Sequence, residues 1–160
     1  MRRRNLLIAA AAAALGLSVL PASAQDARTV VEEYLAAWNA HDAARAASYF
    51  AEDVTYYDAS VGEPITGAEA ARTGVIENFL NAAPDALWTM KGAPVVEDER
   101  VAFEWEFSGT NTGDWADGTA ATGKPFAFTG ASIFTVLDGK ITAQSDYYDA
   151  LGFYTQLGLM

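Results

Sequence analysis

The chain has no cysteine and a single histidine, His41. Without thiols there is no disulfide, no thiolate nucleophile and no cysteine metal site, and one imidazole excludes a histidine-rich metal centre within one chain. A Ser-His-Asp hydrolase would have to use His41, which lies in the connection Ala40-His41-Asp42 between two helical patterns and reads as exposed. Basic side chains are scarce too: ten Lys and Arg stand against 21 Asp and Glu, and Arg2, Arg3 and Arg4 are gathered at the N-terminus. No metal or cofactor is expected from this inventory.

What is present begins with a leader pattern. Met1-Arg2-Arg3-Arg4 is basic, Leu6 to Leu20 is apolar apart from Gly16 and Ser18, and Ala22-Ser23-Ala24 is a small-residue cleavage pattern. The apolar run is short for a membrane span. Residues 1–24 are therefore expected to be a secretory signal peptide cleaved after Ala24, with residues 25–160 forming one periplasmic or secreted domain. The Arg-Arg-Asn-Leu-Leu spacing matches part of a twin-arginine pattern, so both export routes stay open. Cleavage leaves seven basic side chains against 21 acidic ones, a formal charge of −14. That balance argues against nucleic acid and anionic membrane surfaces as partners.

Four Trp, seven Tyr and eight Phe make the chain aromatic-rich, suited to a tight core or an apolar cavity. Thr29 and Glu32 read as a capping box ahead of Val31, Tyr34, Leu35 and Trp38 at helical spacing, which predicts a helix over 28–39. Asp42 is the expected N-cap of a second, short helix. Residues 53–57 switch to an extended run, 59–66 read as loop, and 67–81 as a third helix with Val75, Ile76, Phe79 and Leu80 buried. After Pro84 everything reads as sheet. Residues 87–96 are strand-like, and 100–110 alternate Val101, Phe103, Trp105 and Phe107 against Arg100, Glu104 and Glu106. The segment 111–124 reads as a mobile loop. Residues 125–137 and 140–148 form a hairpin about Asp138-Gly139, whose end is Asp146-Tyr147-Tyr148-Asp149. Asp149 is the expected cap of a short helical tail.

This order predicts an α+β domain, a cone-shaped α+β barrel in which three N-terminal helices pack on a curved, mainly antiparallel sheet. Helices on one face leave a cavity suited to a small apolar ligand. The other face is expected to be covered by a second copy in a homodimer.

Several stretches resemble a known group. Tyr34-Leu-Ala-Ala-Trp-Asn-Ala-His-Asp, Phe50-Ala-Glu-Asp-Val, Gly109-Thr-Asn-Thr-Gly, Thr122-Gly-Lys-Pro and Asp138-Gly-Lys-Ile together resemble the SnoaL-like branch of the nuclear transport factor 2 superfamily. That superfamily includes polyketide cyclases, ketosteroid isomerases and limonene-epoxide hydrolase. The resemblance implies a small apolar or carbonyl-containing ligand and cofactor-independent acid/base chemistry of isomerase, cyclase or epoxide-hydrolase type. Asp58, before Val61-Gly62-Glu63-Pro64, matches the isomerase general base, and Tyr34 falls near its oxyanion tyrosine. That enzyme's second aspartate would fall near Ser132 or Ile133. Asp146 matches the acid/base aspartate of both the cyclases and the hydrolase, and Tyr56 a water-holding tyrosine. Arg100 matches the hydrolase's bridging arginine, with Ala102 at its second carboxylate and Glu104 the nearest substitute. Asn111 stands where cyclases often carry histidine.

The catalytic candidates are thus Asp146, Asp58, Tyr34 and Tyr56, and the ligand-binding candidates Trp38, Phe79, Arg100, Trp105 and Asn111. A carboxylate buried against Trp38, Tyr56, Phe79 and Trp105 becomes a base useful near neutrality. The competing reading is a ligand-binding or dimerisation domain of the same fold without turnover. Convergence of Asp58, Asp146 and a tyrosine hydroxyl on one cavity discriminates the two.

Overall fold

A computed structural model describes residues 26–160; the expected signal peptide lies outside them. The elements run α1 (Ala27–Asn39), α2 (Ala43–Ala47), β1 (Phe50–Asp58), β2 (Ile65–Thr66), α3 (Ala68–Ala71), a π-helical segment (Arg72–Glu77), α4 (Asn78–Ala82), β3 (Leu87–Glu97), β4 (Arg100–Thr110), β5 (Pro125–Leu137), β6 (Lys140–Tyr148) and α5 (Ala150–Leu157). The strands form one curved sheet in the order β2-β1-β6-β5-β4-β3. Neighbours are antiparallel except β1 and β6, which run parallel. The parallel pair sets Asp58 directly opposite Asp146.

Helix α1 buries Val30, Val31, Tyr34, Leu35 and Trp38 against the inward face of β4, Val101, Phe103, Trp105 and Phe107. The Thr29–Glu32 capping box is not used. Asp26 is the N-cap, so Thr29 already lies inside the helix where its hydroxyl cannot cap, and Glu32 pairs with Arg28 at 2.7 Å instead. Asp42 and Asp149 do cap α2 and α5, accepting from the backbone N–H of Arg45 and Gly152, each at 2.9 Å. At the β5–β6 turn, Asp138 and Gly139 take φ of 51° and 74°, the left-handed values a tight hairpin demands.

The expected third helix is interrupted by its π-helical segment. Thr73 Oγ1 donates back to the Glu69 carbonyl at 3.0 Å, and the wider turn keeps Val75, Ile76, Phe79 and Leu80 all buried. The segment 111–124 is tied down rather than loose: the Gly113 N–H donates to the Ala82 carbonyl at 3.0 Å and the Ala116 N–H to Asn78 Oδ1 at 2.8 Å.

A bulge aims the end of β6. Thr135 faces Ala143 while Val136 faces Ile141, so Thr142 is the extra residue. Ile141 is buried before it, and Gln144 and Asp146 are buried after it. Without the bulge, the parity that buries Ile141 would turn Asp146 to the opposite face.

Asn39, at the end of α1, holds β3 by both Trp88 backbone groups, donating from Nδ2 to the carbonyl and accepting at Oδ1 from the N–H, each at 2.8 Å. Asn39→Ala leaves both backbone groups unpaired and is expected to cost about 1–3 kcal/mol. Urea unfolding should show this as a lower midpoint with an unchanged slope.

Candidate functional site

Between helices and sheet lies a cavity with three kinds of wall. Trp38, Val75 and Phe79 roof it, Trp88, Trp105, Phe107 and Phe128 form its aromatic floor, and Tyr56, Asp58, Asp146 and Tyr148 make its acidic end. It leaves about 30 Å³ for the centres of water-sized spheres, room for about two waters or one compact group. An outer chamber of about 230 Å³ by the same measure lies among Ser60, Asn78, Trp115 and Phe153. Phe153 stacks on Phe79 at 6.1 Å between ring centres, so the two spaces share an aromatic partition.

Asp146 is 3% exposed and accepts three hydrogen bonds. Ser132 Oγ donates to Oδ1 at 2.5 Å, and Tyr56 OH and Gln144 Nε2 donate to Oδ2 at 2.7 and 2.9 Å. Ser132 in turn accepts from Trp105 Nε1 at 2.7 Å. That bond depends on Gly130, which faces Trp105 across β4 and β5; a Cβ there would collide with the indole ring and with the Tyr147 carbonyl oxygen. Burial pushes the Asp146 carboxyl up, the Asp58 charge adds to it, and the three hydrogen bonds pull the other way. Burial wins, and the pKa rises from 3.8 to about 7.

Asp58, 4% exposed, is bonded differently. Its Oδ1 accepts from the Ser60 N–H at 2.9 Å, Ser60 Oγ at 2.6 Å, the Val61 N–H at 3.4 Å and Tyr148 OH at 2.8 Å. All four donors converge on one oxygen, and Oδ2 has no protein partner among the described residues. Burial raises this pKa as well, against those hydrogen bonds. Burial likewise raises the pKa of Tyr34, Tyr56 and Tyr148, with the nearby carboxylates adding to it, so these phenols stay protonated, and Tyr56 and Tyr148 donate to the carboxyls.

The sequence candidates separate on this geometry. Asp146, Asp58, Tyr56, Trp38, Phe79 and Trp105 meet on one cavity. Tyr34 lies behind the wall, fully buried, facing the polar groups of Trp38, Gln144 and Tyr56 without closing a well-formed hydrogen bond. Arg100 is exposed at the β3–β4 turn, opposite Glu97 and Thr135, away from the cavity. Glu104 is exposed on the outer face, because β4 turns its apolar side to the helices. Asn111 is a loop staple: Nδ2 donates to the Ala82 and Gly113 carbonyls at 3.1 and 2.8 Å, and Oδ1 accepts from the N–H and Oγ1 of Thr122 at 2.9 and 3.1 Å. Its amide has no capacity left for a ligand. His41 is exposed, but its ring nitrogen bonds the Ala86 carbonyl at 2.8 Å.

Ser132, Gln144 and Tyr148 are site residues that motif comparison does not single out. Strand parity from Asp146 reaches Gln144 and Tyr148 at two-residue steps, and the hairpin register pairs Ser132 with Asp146. The first signal is in the strand pattern; the second is not, because counting back from the Leu137–Lys140 pair would set Ser132 opposite Ser145, and only the Thr142 bulge moves the register to Asp146.

Because the folded Asp146 pKa exceeds the unfolded one, the native state holds a proton that the unfolded chain has lost between about pH 4 and about pH 7. The stability linked to that proton is fully present below this window and is lost as pH rises through about 7. The thermal midpoint of Asp146→Asn relative to the parent should therefore become more favourable from about pH 5 to about pH 8. A difference that stays flat in calorimetry over that range would show that Asp146 does not titrate there.

The model of the SnoaL-like domain family matches residues 31–144. Among solved structures, TsrD from Streptomyces laurentii is 26% identical, with a TM-score of 0.70 over 83% of this chain and 95% of that one. A Xanthomonas campestris protein assigned as a polyketide cyclase is 25% identical, with a TM-score of 0.68 over 84% and 98%. A Catenulispora acidiphila protein with a ketosteroid isomerase-like fold, in complex with trimethylamine, is 24% identical, with a TM-score of 0.68 over 81% and 92%. No curated protein matches the chain. The matched span takes in α1 from Val31, the whole of β1 to β5 and β6 as far as Gln144, and with the cone fold it means that the chain belongs to the SnoaL-like family of the nuclear transport factor 2 superfamily.

Proposed function

We propose that the domain binds a small, largely apolar molecule with a carbonyl or comparable acidifying group and moves a proton on it without a cofactor. The observation that carries this is the convergence of two buried carboxyls, Asp58 and Asp146, on one aromatic cavity with Tyr56 and Tyr148. Asp146, with its pKa near 7, is the acid/base: near neutrality it has both a proton to give and a lone pair to accept one. As Asp146 takes a proton its oxygen becomes a weaker acceptor, and the Tyr56 hydroxyl is released to donate to the developing oxyanion. The small inner volume suits a compact substrate.

The likeness to a protein assigned as a polyketide cyclase supports an isomerase-, cyclase- or hydrolase-type reaction. The trimethylamine in the Catenulispora protein supports occupancy of such a cone by a small molecule. The second reading, ligand binding without turnover, is favoured by the closeness of the inner cavity, which admits little beyond a compact group. The leader pattern supports action after export, in the periplasm or outside the cell. Ile133 and Tyr147 on the outer sheet face, 37% and 51% exposed, support a homodimer through that face.

A screen of cyclic ketones, epoxides and polyketide-like carbonyls tests the activity. For any substrate found, Asp146→Asn is expected to lower kcat by about 10²-fold or more, the usual worth of a general base. Base-limited turnover should rise with pH through about 7. Retained turnover in the variant removes Asp146 from the chemistry. For the dimer, Ile133→Glu should halve the mass measured by light scattering.

A further inference from the structure

Among the described residues, the two carboxyls of the cavity have no counter-charge. The ion pairs among the described residues are Arg28–Glu32, Arg72–Glu69, Arg72–Glu77 and Lys91–Glu106, and no Lys, Arg or His lines the cavity. Burying an ionised carboxylate without a partner is costly, so the site either holds protons or waits for a positive charge. An anion would meet two carboxyls and no cation. A purely apolar ligand would seal Asp58 Oδ2, the one carboxylate oxygen without a hydrogen bond, away from water unpaired.

The remaining walls narrow the kind of cation. A hard metal ion takes six or more oxygens. Among the described residues no cluster of three metal-ligating side chains exists. Most of the lining is aromatic. Trp88, Trp105, Phe128 and Phe107 make a continuous floor, with adjacent ring centres 5.9, 5.9, 5.8 and 6.5 Å apart around the set. Tyr148 joins it 4.7 Å from Phe128. These rings meet mostly edge to face, so the lining mixes ring edges with ring faces, and a cation seated over a face within ~6 Å gains cation–π attraction that a neutral group of the same shape does not.

We propose that the inner cavity takes a small organic cation, an alkylated ammonium group, with Asp58 Oδ2 as its counter-ion and the aromatic floor as its second contact. This rests on the reading of the cavity as a ligand site and adds the charge of the ligand. Asp58 touches the ligand here, whereas Asp146, with both oxygens already engaged, keeps the proton-transfer role.

The test compares choline with its neutral carbon isostere, 3,3-dimethyl-1-butanol, by calorimetric titration of the purified protein. Choline should bind at one site and the isostere at least about tenfold more weakly, the factor that ~1.4 kcal/mol represents. Asp58→Asn should lower choline affinity by a similar factor and leave the isostere unchanged, with circular dichroism confirming the fold. Phe128→Leu, which keeps the charge and removes one ring, should weaken choline more than the isostere. If the isostere binds as tightly as choline, or Asp58→Asn has no effect, the cation is wrong while the ligand cavity stands. If neither compound binds, the cation proposal fails, and the carbonyl screen alone then decides whether the cavity takes a ligand.

Discussion

The burial of two carboxyls inside a cone of aromatic rings, with no basic side chain beside them among the described residues, is the constraint on which the site's construction depends. Burial raises the energy of each ionised form, and the surrounding polar groups answer it with neutral donors only: Ser132, Tyr56 and Gln144 on Asp146, and Ser60, Val61 and Tyr148 on Asp58. Neutral donors offset part of the cost and leave the rest as a raised pKa. A salt bridge would have removed the shift, and with it the ability to exchange a proton near neutrality.

The supports of this arrangement reach well beyond the cavity. Gly130 lets the Trp105 indole lie across β5, the indole N–H then occupies an acceptor site on Ser132, and the serine proton is directed to Asp146. The same indole is part of the cavity floor. One backbone position without a side chain therefore fixes both the floor and the proton network. On the helical side, the π-helical segment keeps Val75 and Phe79 together on the roof, while Asn39 locks α1 to β3 so that Trp38 and Trp88 meet at 5.4 Å, edge to face.

The two aspartates are bonded differently, which their shared chemistry alone would not assign. Their Cα positions are paired across the parallel β1–β6 ladder, close enough for the Asp58 charge to help raise the Asp146 pKa. Asp146 has donors on both oxygens, whereas Asp58 has all its donors on one. Under the proposed function, the saturated carboxyl is the one that exchanges a proton and the half-saturated one is the one that meets the ligand.

Much of this was legible in the residues. The inward face of β4, the Asp138-Gly139 turn, the caps at Asp42 and Asp149 and the α+β order follow from local periodicity and local hydrogen bonding, which act within a few residues. The pairing of Asp58 with Asp146 was accessible only through family resemblance. Arg100 and Asn111 carried the same resemblance, but one lies at a turn beyond reach of the cavity and the other is consumed by its own loop. The sequence by itself determined that a curved sheet covered by helices would enclose an aromatic cavity with acidic strand ends. The tertiary structure decided which residues point into it, because the Thr142 bulge resets the parity of β6 and because hydrogen-bond capacity is settled by neighbours far apart in the chain.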